Sequence, residues 1–505
     1  MSADLVRVRA GVYHDSVSLM RVSQAVTGLP GVEVAVVAMA TDLNRGIAAE
    51  LGFELPGAGQ GDLLIALRGS GPAELEEAAA ELERLLAGLA VRTSGGAAGA
   101  AAGSPPRTVR AAARHGTGAA AALALVSVPG PYAFAEAMDA IEAGLSVMIF
   151  SDNVPVEQEV LLKRRAGELG VLVMGPDCGT AVIGGAGLGF SNVLRPGPVG
   201  VVAASGTGAQ QVTCLLDLAG VGVSHVLGVG GRDLSADVGG LSTLRALRAL
   251  DADPATELIV LISKPPAPEV EDTVRRAVGE LATPVVTALL GPGRDDLTTA
   301  TETVLRVLGV PVPAWRSWPA DGTADGTVDS TADGTVDSTA DGTVDSTADG
   351  TTGADGGEAS PGALRGGRLW GVYSGGTLCA EARLVAGTGE FVDFGDDAYT
   401  RGRAHPMIDS SLRLEAVARV PSGDVALLDV VLGHAADPDP AAGLAPAIAA
   451  AVARGVRVVV ALVGSAGDPQ GLEAQAEALR AAGAAVFSSN ARAAGHAAGV
   501  LAGAR

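Results

Sequence analysis

Cysteine is scarce in this sequence, and its three copies lie far apart. Cys178, Cys214 and Cys379 form no Cys-x-x-Cys pair and no histidine-rich metal pattern. Neither a disulfide framework nor a zinc site is indicated, so we predict no metal. No apolar run reaches the roughly 18 residues needed to span a bilayer, and the N-terminus lacks the charged-then-apolar order of a secretory leader. We expect a cytoplasmic protein without a membrane partner.

Basic residues are outnumbered by acidic ones. The sequence has 35 Lys and Arg against 57 Asp and Glu, which gives a formal net charge of -22 at pH 7. Nucleic-acid binding depends on clustered cations that release counterions from phosphates. We therefore expect no nucleic-acid partner, and the acidity mainly favours solubility.

Aromatic residues are also rare, at 3% of the chain, whereas hydrophobic residues make up 48%. Much of this apolar content is Ala and Val, which favours helices packed on sheets through small side chains. Short apolar runs alternate with helical stretches, the order expected of parallel strands joined by crossover helices. The length predicts roughly three or four domains. The predicted fold class is α/β, with several parallel-sheet domains.

Changes in composition divide the chain into six predicted segments. The repeat ADGTVDST starts at 324, 332 and 340, and its Gly and Asp content leaves nothing to bury, so we predict a disordered tether. A calcium-binding β-roll is the alternative, which the period and the missing bulky apolar position disfavour. The predicted segments are a small α/β domain (1–91), a linker (92–121), a partial Rossmann-type domain (122–194), a parallel-sheet domain (195–314), the acidic linker (315–365) and a second parallel-sheet domain (366–505).

Two parts of the chain repeat one pattern. VVAASGTGAQQV followed by HVLGVGGRD matches GVYSGGTLCAEA followed by EFVDFGDDA in order and approximate spacing. This match predicts two copies of one domain. In each copy, a glycine-rich turn joins the first strand to the helix that follows it.

Each of these turns has the composition of a phosphate site. A helix that begins directly after a buried strand presents free N–H groups and the positive end of its dipole, and Gly admits an anion to the backbone. An ordinary capped helix is the alternative for either turn taken alone. Neither turn is a nucleotide loop or a dinucleotide turn, so we expect a small phosphorylated group. The predicted phosphate-binding residues are Ser205, Gly206, Thr207, Gly208, Ser374, Gly375, Gly376 and Thr377.

An ordered series of segments over nearly the whole chain resembles a known family. The segments that look like the α subunit of succinyl-CoA synthetase are SVPGPY (127–132), AIEAGLSVMIFSDNVP (140–155), VLVMGPDCG (171–179), PGPVGVVAASGTGAQQV (196–212), GVGG (228–231) and DPATELIVLIS (253–263). The region after the acidic linker resembles the ligase domain of the β subunit. With YHDSVSLM (13–20), the pattern is similar to the FdrA family of acyl-CoA-synthetase-like proteins. The resemblance implies a CoA-binding-like domain at 122–194 and flavodoxin-like ligase domains at 195–314 and 366–505.

Departures from succinyl-CoA synthetase change the expected chemistry. The resemblance maps the two turns onto a phosphohistidine cradle, but TALLGPGRDDLTT, after the last strand of the first ligase domain, contains no histidine. Ser263 and Lys264 stand where that enzyme has a glutamate. No ATP-grasp domain precedes the second ligase domain, and 92–121 occupies the place of the CoA-binding glycine turn. We expect phosphate or an acyl phosphate, such as carbamoyl phosphate, as the bound group, with CoA as the less favoured cofactor.

The resemblance implies a subunit of an acyl or carbamoyl transferase of the oxamate carbamoyltransferase type, since some FdrA-family members are associated with allantoin catabolism. The implied partners are a small-molecule carboxylate substrate, other protein subunits of a complex and, as a further option, a second copy of the chain. An acyl-CoA synthetase of the ADP-forming succinate–CoA ligase type is the alternative enzyme. A scaffold or anion-sensing subunit is the non-catalytic alternative.

His405 is the main catalytic candidate outside the turns. It lies in the loop TRGRAHPMIDSS, where an imidazole near cationic groups can act as a nucleophile or general base. Arg401 and Arg403 are predicted to clamp a carboxylate, and Lys264 to neutralise a phosphate. A solvated side chain is the alternative for each of them.

The turns SDNVP and MGPDCG supply further substrate-binding candidates. The resemblance places Asn153, Gly175 and Asp177 in the substrate cleft. Cys178 has no activating histidine nearby in the sequence, which disfavours a covalent role. Asp393 and the aspartates after it can bind magnesium, but such residues more often cap the next helix.

Overall fold

The computed structural model describes residues 3–12, 14, 16–59, 61–94, 106, 108–114, 121–320, 367–400 and 403–503. Four sheets flanked by helices confirm the predicted α/β class. The predicted acidic tether, from 321 onward, and the predicted clamp residue Arg401 lie outside the described residues. Within the described ranges, no helix is both long and apolar enough to cross a bilayer.

The first sheet belongs to an N-terminal α/β domain. Its elements are β1 (Ala3–Arg9), α1 (Ser16–Thr27), β2 (Val32–Met39), α2 (Asp42–Glu50), β3 (Leu63–Gly69) and α3 (Pro72–Ser94). The sheet order is β1-β3-β2, and β3 runs antiparallel to both neighbours. The central strand is apolar along most of its length because both faces are covered. Ile65 shares one buried cluster with Leu19 of α1 and Leu82 of α3, and Leu64 shares another with Phe53.

A short parallel sheet follows. Its elements are α4 (Val109–Arg114), β4 (Leu123–Val126), α5 (Gly130–Glu142), β5 (Ser146–Ile149), α6 (Val156–Leu169) and β6 (Val173–Met174), and the strand order is β4-β5-β6. Ala133, Ala137 and Ala140 of α5 are fully buried. Their small side chains let the helix lie close to the sheet, as the composition predicts.

The first repeat domain, residues 180–307, contains a six-stranded sheet. Its elements are β7 (Thr180–Ile183), β8 (Ala186–Gly189), β9 (Pro196–Ala203), α7 (Gly206–Leu218), β10 (Val223–Gly228), α8 (Leu241–Asp251), β11 (Leu258–Ser263), α9 (Pro268–Val278), β12 (Val285–Leu289) and α10 (Leu297–Val307). The order is β12-β11-β9-β10-β7-β8, and β7 pairs antiparallel to β10. The β7–β8 hairpin therefore belongs to this sheet, although the predicted boundary at 194 places it in the preceding domain. Its turn residues, Gly184 and Gly185, have φ of 55° and 84°, which explains the glycine pair.

The second repeat domain, residues 317–318 and 369–502, contains another six-stranded sheet. Its elements are β13 (Ser317–Trp318), β14 (Leu369–Tyr373), α11 (Gly376–Ala386), β15 (Glu390–Asp393), α12 (Asp397–Thr400), α13 (Ser411–Arg419), β16 (Val425–Val431), α14 (Pro440–Ala453), β17 (Arg457–Val463), α15 (Leu472–Ala481), β18 (Ala484–Phe487) and α16 (Asn490–Ala502). The order is β13-β18-β17-β16-β14-β15. Because β13 pairs antiparallel to β18, residues 317–318 are ordered, contrary to the predicted linker start at 315.

The two repeat domains share one strand order. The parallel strands run β10-β9-β11-β12 in the first and β15-β14-β16-β17 in the second, which is second, first, third, fourth in both. This shared order agrees with the predicted duplication, which stays a prediction. The second domain adds β18 as a fifth strand, which completes the flavodoxin-like order. In this topology ligands bind at the carboxyl ends of the first and third strands, where the chain reverses direction.

The repeat domains are locked to each other by buried polar groups. Asn192 Nδ2 donates to Asp468 Oδ2 at 2.7 Å. Gln211 Nε2 donates to the Ser488 carbonyl at 3.0 Å, and its Oε1 accepts from the Asn490 N–H at 2.9 Å. One apolar cluster also extends through both domains. Since unpaired buried polar groups are costly, these bonds fix the mutual orientation of the domains.

Candidate functional site

The two glycine-rich turns lie face to face. Ser205 caps α7 by accepting a hydrogen bond from the N–H of Gly208 at 2.9 Å. Its hydroxyl donates to Thr377 Oγ1 of the second turn at 2.7 Å, although the two residues are 172 positions apart. Among the described side chains, none caps the first turn of α11, so its N–H groups remain available. We call the first turns of α7 and α11, with Ser205 and Ser374, the cradle.

Glycine is required where the two turns meet. A Cβ atom on Gly375 would lie 2.4 Å from Thr207 Cγ2 and 2.5 Å from its Oγ1. A Cβ atom on Gly208 would lie 3.1 Å from Thr377 Cγ2. Gly375 has a φ of -144°, which any residue can adopt. The sequence therefore needs glycine at 375 for the close approach of the helices and not for an unusual backbone.

Two charged side chains converge over the first turn of α11. A Cβ atom on Gly376 would lie 2.6 Å from Asp393 Oδ2 and 2.7 Å from Lys264 Nζ. Lys264 follows β11, the third strand of the first repeat domain, and Asp393 ends β15. The structure thus places the predicted phosphate ligand Lys264 at the cradle. It adds Asp393, which the sequence assigned to helix capping or magnesium.

His405 lies at the edge of the cradle. A Cβ atom on Gly395 would lie 3.0 Å from His405 Nε2 and 3.1 Å from Asp393 Oδ1. The ring packs on Phe190 with centroids 5.6 Å apart, and Nδ1 accepts from the Met407 N–H at 3.2 Å. Burial, helped by the charge of Arg413, lowers the pKa of His405 to about 4. The imidazole is therefore neutral at pH 7, with its proton on Nε2, which makes it a hydrogen-bond donor and a weak base.

Asp393 has the opposite perturbation. Burial raises the pKa of this carboxyl to about 6, and the charge of Asp429 adds to the increase. The Gly395 N–H, which donates to Oδ1 at 2.9 Å, and the ammonium of Lys264 oppose it. A carboxyl with a pKa near neutrality can exchange a proton at physiological pH.

A buried ion pair holds the second turn in place. Asp429 accepts from the Ser374 N–H at 2.8 Å and from its hydroxyl at 2.9 Å, and it pairs with Arg413 at 3.0 Å. Burial raises the pKa of Asp429, while the charge of Arg413 and the Ser374 bonds oppose that increase. Neither charged residue was among the predicted site residues. The available signal was the single aspartate within the otherwise apolar run VALLDVV of β16.

Arg403 does not reach the cradle through any contact of the described residues. It is exposed and lines a shallow hollow with Tyr399, Pro406 and Asp409. Its partner in the predicted clamp, Arg401, lies outside the described residues. The carboxylate clamp stays a prediction.

Asn153, Gly175 and Asp177 lie at the seam between the β4-β5-β6 sheet and the loop after β10. A Cβ atom on Gly230 of that loop would lie 3.0 Å from the Gly175 carbonyl carbon. The Asp177 N–H donates to the Ser151 carbonyl at 3.0 Å. Asn153 and Asp177 have φ of 53° and 55°, which are uncommon values outside glycine. Gly175 and Asp177 thus pack at this seam, Asp177 against the segment that leads to Asn153, and the role of the three residues stays a prediction.

A buried ionic group supports this seam. Lys163 Nζ on α6 donates to Glu159 Oε1 and to Asp233 Oδ1, both at 2.7 Å, and to the Val229 carbonyl at 3.0 Å. Asp233 also accepts from the Thr243 N–H at 2.8 Å. These bonds satisfy the buried ammonium and fix the loop after β10 against α6.

The turn after β4 is closely packed. A Cβ atom on Gly130, at the start of α5, would lie 2.2 Å from the Asp152 carbonyl oxygen and 2.7 Å from that of Asn153. Backbone carbonyl groups therefore pack closely against Gly130. The glycine turn that binds CoA would fall instead in 92–121, much of which lies outside the described residues, and CoA stays the less favoured cofactor.

The cysteine thiols are buried and free of disulfide bonds. Burial raises the pKa of the Cys178 thiol to about 12, and it does the same for Cys379. A thiol with so high a pKa is protonated at neutral pH and is a poor nucleophile.

Comparison with known proteins identifies two matching family models. The model described as AllF, heavy metal-associated domain, matches residues 1–102, and the CoA-ligase model matches residues 372–500. None of the three cysteines lies within 1–102. The described parts of the chain hold no group of three or more His, Cys, Asp or Glu side chains placed to bind a metal ion. The described residues therefore provide no metal site of this kind.

The chain is similar to individual proteins over different lengths. It is 36% identical to the uncharacterized protein YahF of Escherichia coli (strain K12) over 530 residues, 97% of either chain. It is 30% identical to succinate–CoA ligase [ADP-forming] subunit alpha 2 of Archaeoglobus fulgidus over 171 residues, which cover 33% of this chain and 58% of that subunit. The ATP citrate lyase structure from Methanothrix soehngenii matches with a TM-score of 0.29 and 19% identity, over 38% of this chain and 36% of that one. The full-length match and the two models place the chain in the YahF family, an FdrA-type family of proteins related to succinyl-CoA synthetase.

Proposed function

We propose that this chain is an acyl-transfer subunit, built like an acyl-CoA ligase, that holds the phosphoryl group of an acyl phosphate in the cradle. The observation that carries the proposal is the meeting of two helix N-termini through the bond from Ser205 to Thr377, with Lys264 beside them. Each helix N-terminus carries roughly half a positive charge, and Lys264 adds one. The total of about +2 balances a phosphoryl dianion, which carries about -2 near neutral pH.

His405 is proposed to polarise the acyl carbonyl. Its Nε2–H lies on the same side of Gly395 as Asp393 Oδ1, next to the place where the phosphoryl group binds. A neutral imidazole with a pKa of about 4 donates a hydrogen bond without losing its proton. The bond stabilises the negative charge that develops on the carbonyl oxygen as the acceptor attacks.

The more specific proposal is transfer of a carbamoyl group between phosphate and a small carboxylate acceptor of the oxamate type, in the cytoplasm and with partner subunits. Its support comes from the sequence. Residues 290–296, which follow β12, contain no histidine that could carry a phosphoryl group. An existing acyl phosphate needs no nucleotide for its transfer.

Thioester formation is the second candidate. The CoA-ligase model over residues 372–500 and the succinate–CoA ligase relatives favour it. The replacement of the CoA-binding glycine turn by residues 92–121 counts against it.

The proposal is tested by following phosphate exchange. Purified chain, alone and with candidate partner subunits, is incubated with carbamoyl phosphate, labelled phosphate and oxamate, and in a separate reaction with ATP, CoA and succinate. We expect label to enter carbamoyl phosphate, and His405→Ala to lower the exchange rate by about 10² to 10³. A matched control is Gly499→Ala on α16, where a Cβ meets nothing within 4 Å. Thioester formation without exchange would favour the second candidate, and phosphate binding without any turnover would favour an anion-sensing scaffold.

A further inference from the structure

Asp393 is a charged group at the cradle for which the proposed function gives no task. Its Oδ2 lies over the first turn of α11, 2.6 Å from where a Cβ on Gly376 would be, and its Oδ1 lies 3.1 Å from the corresponding point on Gly395. Lys264 Nζ lies 2.7 Å from the point on Gly376, and His405 Nε2 lies 3.0 Å from the point on Gly395. Asp393 therefore stands between the proposed carbonyl donor and the proposed phosphate ligand.

A phosphate in the cradle would bring a second anion against this carboxyl. Two like charges at one site cannot both ionise easily, so the pair is expected to keep a proton. Lys264 opposes this effect, whereas the charges of Asp429 and Asp396 add to it. The groups that act on Asp393, or on which it acts, are Lys264 after β11, Asp396 of its own loop, Asp429 on β16, Arg413 on α13 and Cys379 on α11.

We propose that Asp393 is a catalytic acid–base residue that carries one proton between the bound phosphate and the atom that leaves the acyl group. This proposal rests on the proposed function. In phosphorolysis, a phosphate oxygen forms a bond to the acyl carbon while the bond from that carbon to the acceptor atom, nitrogen in a carbamoyl acceptor, breaks. The electron pair of the broken bond goes to the nitrogen, which takes the proton from Asp393. The proton that the phosphate brought then restores Asp393, and the reverse reaction follows the same steps backward.

The protonation equilibrium of Asp393 suits this task. Its pKa, raised to about 6 mainly by burial, lies far closer to neutral pH than that of an exposed aspartate. General acid–base catalysis is most efficient when the pKa of the group is near the working pH, and it contributes roughly 10²- to 10⁴-fold to the rate.

Sulfate is the probe for the proton, because it is a tetrahedral dianion that has no proton of its own near neutral pH. We expect the sulfate Kd of the full chain to rise between pH 6 and pH 8, by at most about tenfold per pH unit, because the complex must keep the proton on Asp393. In Asp393→Asn the Kd should stay constant within about twofold, and at pH 8 it should be lower than in the wild type. Isothermal titration calorimetry measures both.

Asp396→Asn is the matched control. Asp396 is an exposed carboxylate three positions along the same loop and accepts a bond from the Ala398 N–H at 3.0 Å. It should keep the pH dependence of sulfate binding, shifted slightly toward lower pH because the charge of Asp396 contributes to the raised pKa of Asp393. The proposal would be overturned if the sulfate Kd had the same pH dependence in the wild type and in Asp393→Asn. It would also be overturned if Asp393→Asn and Asp396→Asn changed this pH dependence equally.

The exchange assay adds the catalytic readout. Asp393→Asn should lower the phosphate–carbamoyl phosphate exchange rate by about 10²- to 10⁴-fold while it still binds sulfate. A normal exchange rate in this variant would refute the catalytic role. If the wild type exchanges no acyl phosphate, the proposed function fails, and with it the catalytic step, whereas the sulfate titration still decides whether Asp393 binds the proton.

Discussion

Replacing Gly375 by alanine adds one methyl group at the point where the two halves of the cradle touch. The added carbon would lie 2.4 Å from Thr207 Cγ2, 2.5 Å from Oγ1 and 2.9 Å from Cβ. Carbon atoms in van der Waals contact are roughly 3.5 to 4.0 Å apart, so the side chain of Thr207 or one of the helices must move. Because the φ of Gly375 is -144°, alanine introduces no backbone strain.

Overpacking by one methyl group costs about 1 to 3 kcal/mol. If the first turns of α7 and α11 separate, this energy appears as weaker anion binding, by a factor of roughly 5 to 150. The bond from Ser205 to Thr377, 2.7 Å in the structure, would also lengthen. Titration calorimetry with phosphate measures the change in Kd, and a thermal melt measures the change in stability.

A double-mutant cycle isolates the contact. In a Thr207→Ala background the two closest atoms are gone, so Gly375→Ala should cost less, with a coupling of roughly 0.5 to 3 kcal/mol. Gly499→Ala, in an open position on α16, should leave phosphate binding unchanged and raise stability by about 0.5 to 1 kcal/mol. Phosphate affinity that is the same in Gly375→Ala and wild type would refute the idea that the facing turns form one binding site.

Three other predictions follow from the surroundings of the cradle. His405→Gln keeps an N–H donor, so it should retain more phosphate-exchange activity than His405→Ala. Because the folded-state pKa of His405 is depressed, the free energy of unfolding should decrease as pH falls from about 6.5 towards 4. Urea unfolding at pH 4.5 and 7 should show a smaller decrease in the glutamine variant. Asp429→Ala leaves Arg413 as an unpaired buried charge and should lower the free energy of unfolding of its domain by about 3 to 5 kcal/mol. Urea titrations measure this change, and a decrease under about 1 kcal/mol would contradict the pairing. The double variant Arg21→Ala/Gln24→Ala removes the hydrogen bonds from α1 to the Ala436 and Ile408 carbonyls, which are 3.3 Å and 3.0 Å long. Amide hydrogen exchange should then become faster at 405–409. Thr27→Ala on the same helix is the control and should leave this exchange unchanged.

The local features of this fold could be read from the sequence because they depend on neighbours in the chain. A strand followed by a turn such as Ser205–Gly208 forms a capped helix wherever it occurs, and the repeated pattern predicts two similar domains before any contact is known. The shared strand order of the two sheets agrees with this prediction. The boundaries at 194 and 315 were wrong because strand membership depends on hydrogen bonds to distant strands, as with the pairing of β7 to β10 and of β13 to β18.

By itself the sequence determined which turns have the composition of an anion site, since helix N-termini, glycine and hydroxyl groups are local properties. Only the tertiary structure decided that the two turns face each other, because a contact between residues 172 positions apart depends on how two whole domains pack. It also placed Asp393 beside Lys264 and paired Asp429 with Arg413. A buried charge must find its partner on whichever element packs against it, and no local pattern of residues specifies that element.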